Sequence, residues 1–137
     1  MPRSTAAAVA IKPPVKNARM LRKIDCVMVR VPDLPSAVEF YTQVFGLRPL
    51  WRDASAVGMG MPETDAEVVL HTMDLPRDRS VHYLVDDVLD AVATGQSAGC
   101  LVREHPFETA IGLCAVLEDP FENTLCLLDM SKGPRVV

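Results

Sequence analysis

One motif occurs twice in this chain, and the repetition limits the fold more than any other feature. "VPDLPSAV" (Val31–Val38) and "VDDVLDAV" (Val85–Val92) share the pattern V-x-D-[LV]-x-x-A-V at an offset of 54 residues. Three further matches follow in the same order. Gly46–Leu47 answers to Gly99–Cys100, "AVGM" (Ala56–Met59) to "AIGL" (Ala110–Leu113), and "LHTMD" (Leu70–Asp74) to "LCLLD" (Leu125–Asp129). Ordered self-similarity at spacings of 53 to 55 residues marks a duplicated structural unit, with the slip absorbed in turns.

Each copy reads alike. Residues 24–31 and 80–85 alternate with the two-residue period of a strand. Asp33 and Asp87 stand at helix N-cap positions, and Pro35 falls in the first turn, where a missing N–H is harmless. Ala37, Val38, Tyr41, Val44 and Phe45 recur at helical spacing, as do Val88, Ala91 and Val92. Gly46 and Gly99 end the helices. Three shorter strands follow in each copy, over 47–52, 55–61 and 66–73, then over 100–104, 109–117 and 123–129. The expected fold is α+β: two tandem βαβββ units whose mixed sheet forms a cup, with the helices on its convex face. Strand parity puts Val27, Val29 and Val31, with Val81, Tyr83 and Val85, against the helices. Cys26, Met28 and Arg30, with Ser80, His82 and Leu84, are left for the cup.

The 137 residues suffice for one domain, expected over 23–132, with repeats at 23–75 and 79–130 and a tail at 133–137. Residues 1–22 carry basic side chains and no acids, and read as a flexible arm; the same composition also fits a transit peptide. No apolar run reaches the roughly 20 residues of a membrane span, and a net charge of −4 argues against nucleic acid. Cys26, Cys100, Cys114 and Cys126 form no C-x-x-C pair, so free thiols in a reducing cytoplasm are expected.

The stretches "VMVRVPDLPSAVEFYTQVFGL", "YLVDDVLDAVATGQSAG" and "LEDPFENTLCLLD" carry a family resemblance. The chain resembles the vicinal oxygen chelate superfamily, which includes glyoxalase I, bleomycin-resistance proteins and extradiol dioxygenases. Its closing motif has Glu122 where glycine is usual. The resemblance implies a cup that binds a small molecule, a homodimer, and in many members a divalent metal held by His, Gln or Glu from the first and last strands of each unit. The positions that match here are Cys26, His71, Ser80 and Cys126. None is a carboxylate, which departs from the metal-dependent pattern.

Three readings follow. The cup binds a small organic molecule, anionic or neutral, without metal, as the bleomycin-resistance branch does. Alternatively, Cys26, His71 and Cys126 hold zinc in an atypical lyase, isomerase or dioxygenase. In the third, Cys26 or Cys126 is a nucleophile activated by His71 or His82. Met28, Arg30 and His82 share the cup face; Arg30 would suit an anionic group, and His82 could bind or transfer a proton. Either could equally be a plain surface or buried residue. Met59, Met61 and Met73 are candidate cavity-wall residues, Trp51 a rim or core residue, and His105 a loop residue.

Overall fold

The computed structural model describes residues 20–133. The chain divides into two compact units, Ile24–His82 and Tyr83–Gly133, with residues 20–23 clustering with the second. Residues 1–19 of the expected arm and 134–137 of the tail lie outside the described residues. Met20 packs against the second unit's core. The Arg22 N–H donates to the Leu84 carbonyl (2.8 Å), and its guanidinium pairs with Asp86 (3.1 Å).

The first unit contains β1 (Lys23–Arg30), α1 (Leu34–Gln43), β2 (Arg48–Arg52), β3 (Ala56–Met61) and β4 (Thr64–His71), then a 3₁₀ turn, Arg77–Arg79. Its strands lie in the order β2-β3-β4-β1. β1 runs parallel to β4, and the other pairs are antiparallel. Asp33 caps α1 by accepting from the Ser36 N–H (3.0 Å), and Gly46 takes the left-handed conformation (φ 75°) that releases the chain into β2. Leu47, Val57, Met59 and Leu70 form the core, with Val29 from β1, Val31 just after it, and Leu34, Ala37, Val38 and Tyr41 from α1. The valine face of β1 therefore meets the helix, as its alternation predicts. Met59 and Met61 lie in this core too, so neither is a cavity-wall residue.

β5 (Val81–Leu84) carries the chain into the second unit, followed by α2 (Val88–Ser97), β6 (Leu101–Glu108), β7 (Leu113–Glu118) and β8 (Thr124–Leu128). The order is β5-β8-β7-β6. Each unit is thus βαβββ. Asp87 repeats the cap of Asp33, accepting from the Asp90 N–H (3.0 Å). Val85, Val88, Ala91, Val92, Ala115, Leu117 and Leu127 form the core, with Tyr83 packed against it. Among the described residues, no helix is long and apolar enough to cross a membrane.

β6 runs four residues beyond its expected end, and His105 lies exposed within it rather than in a loop. β7 starts at Leu113 rather than at 109. Between them, Thr109 makes a local turn: its N–H donates to the Gly112 carbonyl (2.7 Å), and its hydroxyl oxygen accepts from the Gly112 N–H (3.2 Å). A hydroxyl that bonds nearby backbone competes with a ladder and wins here.

Asp129 is 2% exposed. Its carboxylate accepts from the N–H groups of Val88 (2.9 Å), Leu113 (2.9 Å) and Ser131 (3.1 Å) and from the Ser131 hydroxyl (2.7 Å). It thereby ties the start of α2 to the start of β7. A Cβ on Gly112 would lie 2.3 Å from Asp129 Oδ1, so only glycine fits there. Burial pushes the Asp129 carboxyl up, but the donors from Val88, Leu113 and Ser131 outweigh it and hold it below the usual range.

Replacing Asp129 with alanine leaves buried N–H groups unsatisfied and is expected to cost about 3 kcal/mol in denaturant unfolding. In the turn before β8, Glu122 holds the left-handed conformation (φ 71°). A side chain there is strained by roughly 1 kcal/mol. Glu122→Gly is therefore expected to leave unfolding unchanged or raise stability by up to about 1 kcal/mol, whereas Gly46→Ala should lower it.

Candidate functional site

The face of the first unit's sheet away from α1 is set by the β1–β4 register. Cys26 lies opposite Glu67, Met28 opposite Val69 and Arg30 opposite His71. Ser80 continues this face across β1: Met28 N–H donates to the Ser80 carbonyl (2.7 Å), and the Ser80 hydroxyl donates to the Met28 carbonyl (3.1 Å).

A cavity of about 400 Å³ opens at the Arg30 end of this face, lined by Met28, Arg30, His71, Ser80, and Leu75, Pro76, Arg77 and Arg79 from the segment before β5. Four of the seven residues expected to line a cup (Met28, Arg30, His71 and Ser80) are thus brought together. The other three are not among its lining. Cys26 is buried with Ala56 and Val69, its Sγ 4.0 Å from Met28 Sδ. His82 is half-buried, with Nδ1 lacking a hydrogen-bond partner among the described residues. Cys126 is buried in the second unit, opposite Val116.

His71 is 3% exposed, and its Nδ1 accepts from the Met73 N–H (3.0 Å). The ring proton of the neutral imidazole therefore sits on Nε2, which is a donor. Burial lowers the His71 pKa from 6.5, the Arg30 charge lowers it further, and the Met73 bond opposes both. Burial likewise lowers His82, with Arg79 adding to the effect against the Ser80 backbone and Asp25. Arg30 is largely solvated and pairs with exposed Asp74 (3.1 Å). Arg79 Nε lies 3.7 Å from Asp78. Arg77 makes no ion pair among the described residues.

The register also tests the expected metal set. Cys26 and His71 stand four positions apart along paired strands, roughly 13 Å at about 3.3 Å per residue. One zinc ion needs contacts of about 2.0–2.3 Å to each ligand. Cys26 and His71 thus cannot share an ion, and the same gap separates them as nucleophile and base. Among the described residues, no group of three or more His, Cys, Asp or Glu side chains is placed to hold a metal. The residues present do not fit the ligand set implied by the sequence.

Sequence reasoning missed three residues. Glu67, level with Cys26, accepts from Trp51 Nε1 (2.7 Å). The indole of Trp51 covers Gly58, whose Cβ would fall 2.0 Å from Nε1. Trp51 packs across the sheet face against the buried Cys26–Ala56–Val69 cluster, the core placement rather than the rim one. The alternation Glu67, Val69, His71 carried the signal for Glu67. Arg77 and Arg79 sit in a turn, where no periodicity points to a cavity.

The family model for the Glyoxalase/Bleomycin resistance protein/Dioxygenase superfamily matches residues 23–127. The chain belongs to this superfamily. Solved structures agree on the fold. Methylmalonyl-CoA epimerase from Mycobacterium tuberculosis is 16% identical, with a TM-score of 0.67 over 82% of this chain and 91% of that one. A Streptomyces coelicolor methylmalonyl-CoA epimerase in complex with 2-nitronate-propionyl-CoA is 18% identical, with a TM-score of 0.63 over 81% and 99%. A Legionella pneumophila protein described as an NAD-dependent benzaldehyde dehydrogenase is 16% identical, with a TM-score of 0.60 over 77% and 97%. No curated protein matches the chain. At such identities a shared fold carries no shared activity.

Both histidines are held below their unfolded pKa. The unfolded chain binds their protons first, so folding stability falls as pH drops below 6.5 and neither residue contributes above it. Urea unfolding at pH 7.5 and 5.5 should show this loss, and it should shrink in His71→Gln and in His82→Gln.

Proposed function

We propose that this superfamily member binds a small organic molecule in the cavity lined by Met28, Arg30, His71 and Ser80, without the metal site typical of its relatives. The separation of Cys26 from His71 carries the reading. The cavity itself mixes an apolar floor (Met28, Leu75, Pro76) with a few polar groups, the composition of organic-ligand sites. His71 acts as a neutral N–H donor rather than a ligand or base. Ser80 fixes the cavity wall through its bond to Met28. Cys26, His82 and Cys126 are buried supports of this face or of the second unit's sheet. A homodimer in a reducing compartment completes the proposal.

A second reading is a divalent-metal-dependent enzyme of the epimerase kind. Glu67 favours it, because it places a carboxylate level with Cys26 where the sequence pattern had none. Elemental analysis of protein purified without an affinity tag separates the two. The first reading expects less than 0.1 metal ion per chain and a melting temperature unmoved by chelator. Stoichiometric zinc, lost in Glu67→Gln or Cys26→Ser, would establish the second. Light scattering should give twice the chain mass.

A further inference from the structure

The proposed cavity has a wall made of donors. Its lining contains three arginines and no carboxylate. His71 adds an N–H, since its Nδ1 is occupied by the Met73 backbone. The Ser80 hydroxyl proton is committed to the Met28 carbonyl. A neutral ligand rich in donors would find almost nothing to accept from it. The arginines are also unequally neutralised. Arg30 pairs with Asp74, which is 92% exposed and well solvated; Arg79 is 3.7 Å from Asp78; Arg77 has no counter-ion among the described residues. The exposed Arg30–Asp74 pair holds weakly, so a better acceptor can take the Arg30 guanidinium from it. Two of the three cations, Arg77 and Arg79, come from one 3₁₀ turn at the cavity's edge. Planar guanidinium forks suit an oxyanion with two or more acceptor oxygens.

Building on the proposed small-molecule cavity, we infer that the ligand is an organic oxyanion, a carboxylate or phosphate on an apolar body. Arg77 and Arg79 seat its acid group with Arg30, and Met28, Leu75 and Pro76 take the apolar part. Arg77 and Arg79 are then the residues that set specificity for acids, and Asp74 is a built-in competitor for Arg30.

Calorimetric titration of the full chain with phenylacetate, phenyl phosphate and the neutral 2-phenylethanol tests this. At least one of the two anions should bind tenfold or more tightly than the alcohol, and which one prevails identifies the acid group. Raising salt from 50 to 300 mM should weaken the anion severalfold and leave the alcohol unchanged. Arg77→Ala, at an exposed position, should raise the anion's Kd about tenfold with no change in melting temperature. Asp74→Asn should lower it about threefold. Should the alcohol bind as well as both anions, with Arg77→Ala silent, the oxyanion inference falls while the cavity reading stands. Should none of the three bind at 10 mM, both fall.

Discussion

Five residues of β1 run parallel to five of β4, from Cys26 opposite Glu67 to Arg30 opposite His71. The sheet-borne part of the site depends on that register. Because side chains alternate across a strand, the pairing that sends Val29 and Val31 into the core beneath α1 also sends Met28 and Arg30 to the other face. A slip of one residue would exchange the two sets, burying an arginine and exposing the valines. The core thus fixes the cavity, and the cost of disrupting the core protects the cavity's lining.

The two units keep one frame and fill it differently. Gly58 and Gly112 each clear space for a neighbouring side chain, Gly58 within β3 opposite Val69 and Gly112 in the turn before β7. Over Gly58 lies the Trp51 indole, bonded to Glu67. Over Gly112 lies the Asp129 carboxylate, bonded to the start of α2. The first-unit counterpart of Asp129 is Thr72, whose N–H donates to the Ser55 carbonyl as the Asp129 N–H does to that of Leu113; Asp74 lies further on, in solvent beside Arg30. The shared strand frame carries a buried acid brace at Asp129 in the second unit where the first unit has Thr72.

Fold and chemistry part company at this point. The superfamily frame accommodates neighbours described as an epimerase and as a dehydrogenase, which is expected when a scaffold hosts unrelated sites. This chain's own chemistry lies in the donors on one sheet face and in one turn, not in the frame.

The sequence alone determined the duplicated βαβββ units, the helix-packing faces of β1 and β5, and the caps at Asp33 and Asp87. These follow from local rules, period and capping, that act over a few residues. His71 entered only through the family resemblance. Parity also put Met28, Arg30 and Ser80 on one face of their strands, because parity is a local property. Height along a strand is not. Only the β1–β4 pairing shows that His71 stands level with Arg30 and that Glu67 takes the place beside Cys26. Only the path of the chain after β4 brings Arg77 and Arg79 to the cavity, since a turn without periodicity says nothing of its neighbours. Register and loop course are set by contacts between residues far apart in sequence, and those contacts exist only once the chain has folded.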